Sequence, residues 1–266
     1  MDLGINGRTA LITGGAGGMG TETAKLLLAE GCKVVVTDLD EEAVQRAAGD
    51  LGESAFGIAA DLTRNEDCEK VAAFARDKAG HPDILVSAAG VTGAKGHPLT
   101  EITDDDWAEV WQTNFMSAVR IMRQILPGMA DKGWGRVVIV TSENAVQPYW
   151  EEAVYNTAKA ALLNLSKGLS RKYAHDGVLI NAVSPAFIET PMTDGMMEKK
   201  ADEEGISKKE AIEEFLDEDR PYLELKRRGR PEEVAAVIAL LVSEKASFVN
   251  GANYRVDGGA VATMAV

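Results

Sequence analysis

The sequence predicts an α/β fold in which helices cover both faces of a doubly wound parallel sheet. Short apolar runs rich in β-branched residues alternate with longer helical patterns along the chain. Each run is nearly continuous in apolar character, as expected of a strand that is buried on both faces. A glycine cluster also lies between the first run and the first helical pattern. Strand–helix alternation with right-handed crossovers leads to a doubly wound sheet.

The predicted elements follow each other in strand–helix order. The strand candidates are 9–13, 33–37, 84–88, 136–142 and 178–184, with weaker candidates at 55–61 and 253–256. The helical patterns occupy 18–30, 41–49, 65–79, 104–131, 153–175 and 231–243. Neither an internal repeat nor a low-complexity linker interrupts them, so we expect a single domain over residues 1–266.

One long connection, at about 189–228, departs from this alternation. Many of its residues are charged, which is typical of a solvated face, but its apolar residues need a packing partner. Ser207 followed by Glu210 forms a capping-box pattern, which predicts a short helix from about Lys208. A long connection at the carboxyl edge of a parallel sheet is suited to act as a lid over the substrate.

Composition and charge narrow the classes of function. The 266-residue chain is 45% hydrophobic and carries a formal net charge of −14. This charge disfavours nucleic acid and anionic membranes as partners, because both attract basic surfaces. The two cysteines have no metal-binding spacing, which suggests a reducing compartment with both thiols buried. With no signal peptide or membrane-spanning run evident, we expect a soluble cytoplasmic protein.

No metal site is expected from the sequence. His81, His97 and His175 lie on different segments without ligand spacing. The acidic run Asp104–Asp106 falls at a helix start, where the helix dipole favours carboxylates. Ser142 lacks the glycine pattern of a nucleophile elbow, so acyl transfer is not expected either.

The glycine cluster TGGAGGMG, at 13–20, predicts a dinucleotide-binding loop. Gly14, Gly18 and Gly20 let the backbone turn sharply and approach a pyrophosphate closely. The following helix offers free amide groups and the positive end of its dipole to that group. Glycine clusters are often plain turns, but the position between a strand and a helix favours a Rossmann-type cofactor site.

Asp38 ends the second strand, about 20 residues after the glycine loop. A carboxylate at this position accepts hydrogen bonds from the adenosine ribose hydroxyls and repels a 2′-phosphate. No Arg or Lys occurs between Gly14 and Gly20, and Leu39 follows Asp38. NAD is therefore predicted rather than NADP. Asp38 could instead cap the next helix, although Asp40 fits that role better.

Further motifs occur in the order expected of one enzyme family. Tyr155 and Lys159 form a Tyr-x-x-x-Lys pair in YNTAK, and Ser142 lies 13 residues before Tyr155. Asn114 lies in QTNF, and the motif VDGG lies near the C-terminal end, at 256–259. With the glycine loop, these motifs resemble the short-chain dehydrogenase/reductase family, in its short, single-domain branch. The resemblance covers nearly the whole chain.

The resemblance implies a set of cofactor contacts. Asp61 and Leu62 match the acidic–apolar pair that approaches the adenine, and the segments at 184–185 and 190–192 match those that touch the nicotinamide. The cofactor-binding residues predicted in this way are Gly14, Gly18, Met19, Gly20, Asp38, Leu39, Asp61, Leu62, Ala89, Gly90, Tyr155, Lys159, Pro185, Ile188 and Thr190.

Two positions depart from the family pattern. The family usually reads Asn-Asn-Ala-Gly after its fourth strand, whereas this chain has Ser-Ala-Ala-Gly at 87–90. The side-chain amides that often brace that strand are therefore absent. Ala186 replaces the glycine that commonly follows Pro185, and its methyl group is expected to narrow the floor near the nicotinamide.

Tyr155 and Lys159 are one helical turn apart, so their side chains are neighbours. Taken alone, they also fit an exposed helix pair. A phenol with a pKa of about 10 is a poor base, but a nearby cation lowers that pKa, and oxidised nicotinamide adds a second positive charge. The resemblance implies that Ser142 holds the substrate oxygen, Lys159 binds the nicotinamide ribose and Asn114 holds a proton-relaying water.

The substrate pocket is expected to lie between the residues after Ser142 and the 189–228 segment. Its predicted residues are Ser142, Asn144, Trp150, Tyr155, Ala186, Phe187, Met192 and Met196. Their aromatic, thioether and amide groups suit a mid-sized, mainly apolar secondary alcohol or ketone with a few polar groups. Glu143 either binds a second substrate hydroxyl or faces solvent. Lys95 and Arg227–Arg228 are the basic residues that an acidic carrier could use.

Three alternatives remain open on the sequence. One is an NADPH-dependent 3-oxoacyl carrier-protein reductase, which Asp38 disfavours. Another is a nicotinamide-binding protein without turnover. The third, dehydratase or epimerase chemistry on a nucleotide sugar, usually needs a longer C-terminal substrate domain. The resemblance also implies a homodimer or homotetramer that is built through the helices at 104–131 and 153–175.

Overall fold

The computed structural model describes residues 2–264 and contains one sheet of seven parallel strands. The strands are β1 (Thr9–Thr13), β2 (Lys33–Asp38), β3 (Ala55–Ala59), β4 (Ile84–Ser87), β5 (Gly135–Val140), β6 (Val178–Pro185) and β7 (Asn253–Val256). They lie in the order β3-β2-β1-β4-β5-β6-β7, and neighbours are parallel throughout. The winding reverses between β1 and β4, which creates a ligand-binding crevice at that point. The predicted fold class is confirmed.

The two faces of the sheet carry separate cores. The helices are α1 (Gly18–Ala29), α2 (Glu41–Leu51), α3 (Asn65–Lys78), α4 (Asp104–Val110), α5 (Ser117–Lys132), α6 (Ala153–Tyr173), α7 (Pro191–Glu204), α8 (Lys208–Glu214) and α9 (Pro231–Leu241). Ile12 and Val36 pack in the core that includes side chains of α1 and α9. Leu11 and Val35 pack in the core that includes side chains of α3, α5 and α6. Successive residues of each strand thus enter opposite cores, which explains the continuous apolar runs.

The predicted helix at 104–131 is divided in two. A π-helical turn, Trp111–Met116, joins α4 to α5. It contains the stacked rings of Trp111 and Phe115, whose centroids are 4.6 Å apart, and it carries Asn114 into the buried interior. One wider turn hardly changes an apolar pattern with helical period, so this turn could not be detected from the sequence.

The 189–228 segment forms two helices with an apolar interior of their own. Its second helix, α8, begins at Lys208, and the Ser207 side chain accepts a hydrogen bond from Glu210 N, as predicted. Its first helix, α7, is capped by Thr190 and was not predicted. The apolar interior consists of Phe187, Met197, Phe215, Leu216, Leu223 and Ala260. The role of this segment as a lid stays a prediction.

Two smaller expectations can also be compared with the structure. Cys32 and Cys68 are free and buried, as predicted, and burial raises the pKa of both thiols, to about 12 and about 11. Asp40, rather than Asp38, caps α2 by accepting a hydrogen bond from Ala43 N. In the part of the chain that the structure describes, no helix has the length and apolar character needed to cross a membrane.

Candidate active site

The glycine loop is shaped by close backbone contacts. Gly14 has φ +66°, and a Cβ atom there would lie 2.9 Å from the backbone of Ala88. A Cβ atom on Gly20 would lie 2.3 Å from the Gly14 carbonyl oxygen, so α1 packs directly on the loop. Gly17 precedes α1 without a side-chain cap, which leaves the first helical amide groups available to a phosphate.

The loop forms one wall of a cleft of about 670 Å³ at the reversal point of the sheet. The cleft is lined by Gly14, Ala16, Gly17, Gly18, Met19, Gly20, Asp38, Leu39, Asp40, Ala43, Ala60, Asp61, Leu62, Thr63, Ala88, Ala89, Gly90, Val91, Glu109, Thr113, Ser117, Thr190, Pro191 and Met192. Eleven of the predicted cofactor residues are therefore together in this cleft. None of the described lining residues is a lysine or an arginine.

Four predicted cofactor residues lie outside the cleft lining: Tyr155, Lys159, Pro185 and Ile188. Ile188 is buried in the core that includes α1 and α9, and its backbone pairs with Gly229, so a cofactor contact would have to come from its backbone. Pro185 ends β6 and is also buried. Tyr155 and Lys159 belong to the predicted catalytic group described below.

Two acidic side chains in the cleft are held by local hydrogen bonds. Asp38 accepts hydrogen bonds from Ala16 N at 3.2 Å and from Leu39 N at 2.9 Å. Asp61 accepts hydrogen bonds from the backbone and hydroxyl groups of Thr63, at 2.9 and 2.7 Å. These contacts fix both carboxylates at the carboxyl edge of the sheet, where the ribose and the adenine are expected.

The end of β4 is braced by a hydroxyl group instead of the missing amides. Thr13 Oγ1 accepts hydrogen bonds from Ala88 N and Ala89 N, at 3.1 and 3.2 Å. Asn114 accepts from Val91 N and donates to Val91 O, both at 2.8 Å. Thr13 was predicted as part of the cofactor motif, but its bracing role was not predicted.

Gly90 leaves room for two of the predicted catalytic side chains. A Cβ atom at Gly90 would lie 3.1 Å from Asn114 Oδ1 and 3.5 Å from Lys159 Nζ. The side chains of Asn114 and Lys159 therefore both approach the backbone at Gly90, just after β4. A glycine there allows this close approach, which the sequence shows only as part of a four-residue motif.

Lys159 and Tyr155 are neighbours on α6, as predicted. The Lys159 ammonium lies 5.5 Å from the Tyr155 ring centroid and donates to Val140 O at 3.0 Å. Burial lowers the pKa of Lys159 to about 8. The sequence predicts that Lys159 and oxidised nicotinamide together lower the pKa of Tyr155; for the protein alone the net shift is upward. Burial raises the pKa of Tyr155, the Glu143 carboxylate raises it further, and a hydrogen bond with Ser142 opposes them.

Ser142 follows β5 and is buried beside two polar side chains. Its hydroxyl donates either to Glu143 Oε2 at 3.0 Å or to Asn144 Oδ1 at 3.1 Å. A serine hydroxyl has a single proton, so these two bonds are alternatives. Glu143 is only 3% exposed, and the interpretation that it faces solvent is therefore wrong.

Glu143 belongs to a buried ionic network that was not predicted from the sequence. Arg220 Nη2 binds Glu152 Oε1 at 3.0 Å, and Arg220 Nε lies 3.6 Å from Glu143 Oε1. Lys95 Nζ also binds Glu152 Oε1, at 2.6 Å. The Arg220 guanidinium stacks on the Tyr149 ring at 3.6 Å. The network joins the 189–228 segment to the residues that follow Ser142.

The predicted substrate residues have different surroundings. Trp150 and Met192 are 69% and 51% exposed. Phe187 is buried in the apolar interior of the 189–228 segment, against which Ala186 and Met196 pack. The Asn144 amide donates hydrogen bonds to Glu152 and Asn156, so its nitrogen already has protein partners. Substrate contact by these residues stays a prediction.

The fold and the site define a Rossmann-type oxidoreductase that uses a nicotinamide cofactor. A family model described as enoyl-(acyl carrier protein) reductase matches residues 14–261. The chain belongs to the short-chain dehydrogenase/reductase family, as its motifs suggested.

Similar proteins match along nearly their whole length. A 3-oxoacyl-[acyl-carrier-protein] reductase of Vibrio cholerae is 32% identical over 97% of this chain and 98% of its own. A meso-2,3-butanediol dehydrogenase of Serratia marcescens is 34% identical over 97% and 96% of the two chains. The L-sorbose reductase of Gluconobacter frateurii, solved with NADPH and L-sorbose, has a TM-score of 0.92 and 34% identity, with coverage of 99% and 100%.

Proposed function

We propose that this protein is an NAD-dependent dehydrogenase/reductase that interconverts a mainly apolar secondary alcohol and the corresponding ketone. The observation that carries this proposal is the arrangement of Ser142, Tyr155 and Lys159 at the carboxyl edge of the sheet, where Lys159 is buried 5.5 Å from the Tyr155 ring. The substrate is a small molecule, and no nucleic acid or membrane partner is expected. We also expect a cytoplasmic homodimer or homotetramer.

The residues present fit a nicotinamide cofactor. The glycines of the loop have no side chains, so the backbone can approach the cofactor closely. The uncapped start of α1 offers amide groups to the phosphates. Asp38 suits the adenosine ribose. When bound, the nicotinamide accepts a hydride from the alcohol carbon or delivers one to the ketone carbon.

The side chains around the substrate move and hold the proton. Ser142 donates a hydrogen bond to the substrate oxygen. Tyr155 takes the hydroxyl proton of an alcohol or gives its own proton to a ketone oxygen. The Lys159 ammonium stabilises the phenolate, because an opposite charge nearby favours the ionised form.

The choice of NAD is supported by the charge of the cleft. Its described lining includes the carboxylates of Asp38, Asp40, Asp61 and Glu109 and contains no basic side chain. A 2′-phosphate placed near Asp38 would lack a cation and would face repulsion. NADH is therefore expected to bind more tightly than NADPH.

The basic residues that an acidic carrier could use are already paired with carboxylates of the chain. This supports a substrate that is not bound to a carrier. Lys95 pairs with Glu152, Arg227 with Glu233, and Arg228 with Asp194. Each positive charge is thus balanced within the chain. Reduction of a 3-oxoacyl carrier protein is the second candidate, because a relative over nearly the whole length has that name.

A substrate panel with the Tyr155→Phe variant tests this proposal. Secondary alcohols, ketones and a 3-oxoacyl carrier protein are assayed with NAD(H) and NADP(H) by nicotinamide absorbance. We expect turnover of free alcohols and ketones with NAD(H), and a loss of roughly 10²–10⁴-fold in Tyr155→Phe. Cofactor titration of the variant shows that its cleft is intact. Tight binding of NADPH but not NADH, or a variant as active as the wild type, would contradict the proposal.

A further inference from the structure

The Ser142 hydroxyl has one proton but more than one possible hydrogen-bond acceptor. It is directed to Glu143 Oε2 or to Asn144 Oδ1 within the protein. The proposed reaction needs the same proton on the substrate oxygen, in both directions of the reaction. When Ser142 turns to the substrate, its hydrogen bond to Glu143 is lost.

Loss of that bond leaves a buried carboxylate with one donor fewer. Glu143 is 3% exposed, so water reaches it poorly. A buried acceptor that loses a donor is destabilised by more than an average hydrogen bond contributes. A substrate that brings a replacement donor to Glu143 Oε2 therefore binds more tightly than one that does not.

The neighbouring protein donors have other partners. Arg220 Nη1 binds Asp219 O at 2.9 Å and Nη2 binds Glu152 at 3.0 Å, while Nε stays 3.6 Å from the other Glu143 oxygen, Oε1. The Asn144 side-chain amide is bonded to Glu152 and Asn156. The replacement donor thus has to come from the substrate.

The position of the donor follows from the short distance between the two protein groups. Glu143 Oε2 and Ser142 Oγ are 3.0 Å apart. The substrate oxygen held by Ser142 and the donor held by Glu143 must therefore be close together. A hydroxyl on the carbon next to the reacting carbon meets this requirement, because it lies within hydrogen-bond distance of the reacting oxygen.

We propose that Glu143 is a specificity-determining residue that accepts a hydrogen bond from a substrate hydroxyl adjacent to the reacting carbon. The substrate class is then the vicinal diols and α-hydroxy ketones, whose remaining surface can be apolar. This inference rests on the proposed function and narrows its substrate.

Matched substrate pairs test the subsite in the full chain. Butan-2-one is compared with 3-hydroxybutan-2-one, and cyclohexanone with 2-hydroxycyclohexanone. The wild type is expected to prefer the hydroxy ketone by at least about tenfold in kcat/KM, as for a hydrogen bond to a charged group. 3-Methoxybutan-2-one, which has the oxygen but no donor, is expected to lose this preference.

The variant Glu143→Gln keeps the shape of the side chain and removes its charge. We expect the preference ratio to fall by about tenfold in this variant. Glu151→Gln is the matched control, because Glu151 is a neighbouring carboxylate whose side chain lies outside the network, and it should retain the wild-type ratio. Cofactor titration checks that both variants are folded.

The outcomes separate this subsite from the proposed function. Turnover of plain ketones without a preference for the hydroxy partners overturns the subsite alone. A preference that survives unchanged in Glu143→Gln overturns it as well. Absence of turnover with every pair contradicts the proposed function and the subsite together.

Discussion

Tyr155 lies half-buried between side chains of opposite charge. The Lys159 ammonium is 5.5 Å from its ring centroid, and the Glu143 carboxylate lies 3.0 Å from the Ser142 hydroxyl. Burial and the Glu143 charge raise the pKa of the phenol. The Glu143 and Glu152 carboxylates oppose ionisation of Tyr155 and the Arg220 guanidinium favours it, and Glu143 has the largest effect of these charges.

The charge of Glu143 predicts a shift in the pH dependence of alcohol oxidation. Oxidation needs the phenolate, so kcat/KM rises with pH through the apparent pKa of Tyr155. Burial raises the pKa of Glu143 to about 7, so above that pH its negative charge opposes ionisation of Tyr155. Removing the charge in Glu143→Gln should lower the pKa of Tyr155 and move the rise in kcat/KM to lower pH.

The profile is measured at saturating cofactor for the wild type, Glu143→Gln and the control Glu151→Gln. The other charged groups of the network, Glu152, Arg220 and Lys95, are unchanged in these variants. A rise at the same or a higher pH in Glu143→Gln would show that the carboxylate does not act on the phenol.

The proximity of the proposed catalytic residues could be predicted from sequence because they belong to spaced motifs. The interval from Ser142 to Tyr155, together with the glycine loop, was sufficient to place them in one site. The environment of those residues was not predictable, because burial is a property of the packed chain. The upward shift that burial and the Glu143 charge give the pKa of Tyr155 was therefore not predicted, and a lowered pKa beside both Lys159 and oxidised nicotinamide stays a prediction.

Elements with a strong apolar period were predicted well. All seven strands and the main helices lie close to their predicted bounds. The π-helical turn at Trp111–Met116 and the helix α7 were missed. The sequence of α7 places methionines among charged residues without a clear apolar stripe, so periodicity gives little signal there.

The junction of the glycine loop and α1 is sensitive to any added side chain. In Gly20→Ala the new Cβ atom would lie 2.3 Å from the Gly14 carbonyl oxygen, which is backbone and cannot move aside cheaply. We expect a loss of about 1–3 kcal/mol in unfolding free energy and a loss of cofactor binding. Chemical denaturation and NADH titration measure the two effects.

Gly49→Ala is the matched control for this prediction. Gly49 lies within α2, and a Cβ atom added there would have no neighbouring atom within 4 Å, so the methyl group meets open space. The higher helix propensity of alanine should stabilise this variant by about 0.5–1 kcal/mol. Equal stability of the two variants would mean that the loop adapts more easily than its close contacts indicate.

At the scale of the whole molecule, the 189–228 segment contains two buried arginines, of which Arg220 pairs outside the segment and Arg228 pairs within it. Arg228 binds Asp194 at 2.7 Å at the base of α7. Arg220 reaches Glu152, which is 68 residues earlier in the chain. Burial acts to raise the pKa of Glu152, but Arg220 and Lys95 outweigh it, and the net shift is downward. Nothing in the local sequence around Arg220 indicates such distant partners, which is why the network was not predicted.

The strength of this attachment can be measured with a double-mutant cycle of Arg220→Met and Glu152→Gln. Each single substitution breaks the Arg220–Glu152 pair and leaves the remaining partner with its other neighbour only, Lys95 for Glu152 and Glu143 for Arg220, whereas the double variant removes both charges. We therefore expect a coupling energy above about 1.5 kcal/mol. The exposed pair Lys199–Glu203, at 3.7 Å, is the matched control and should couple by less than about 0.5 kcal/mol. Similar coupling in the two cycles would show that the buried network holds the segment no more firmly than a surface ion pair does.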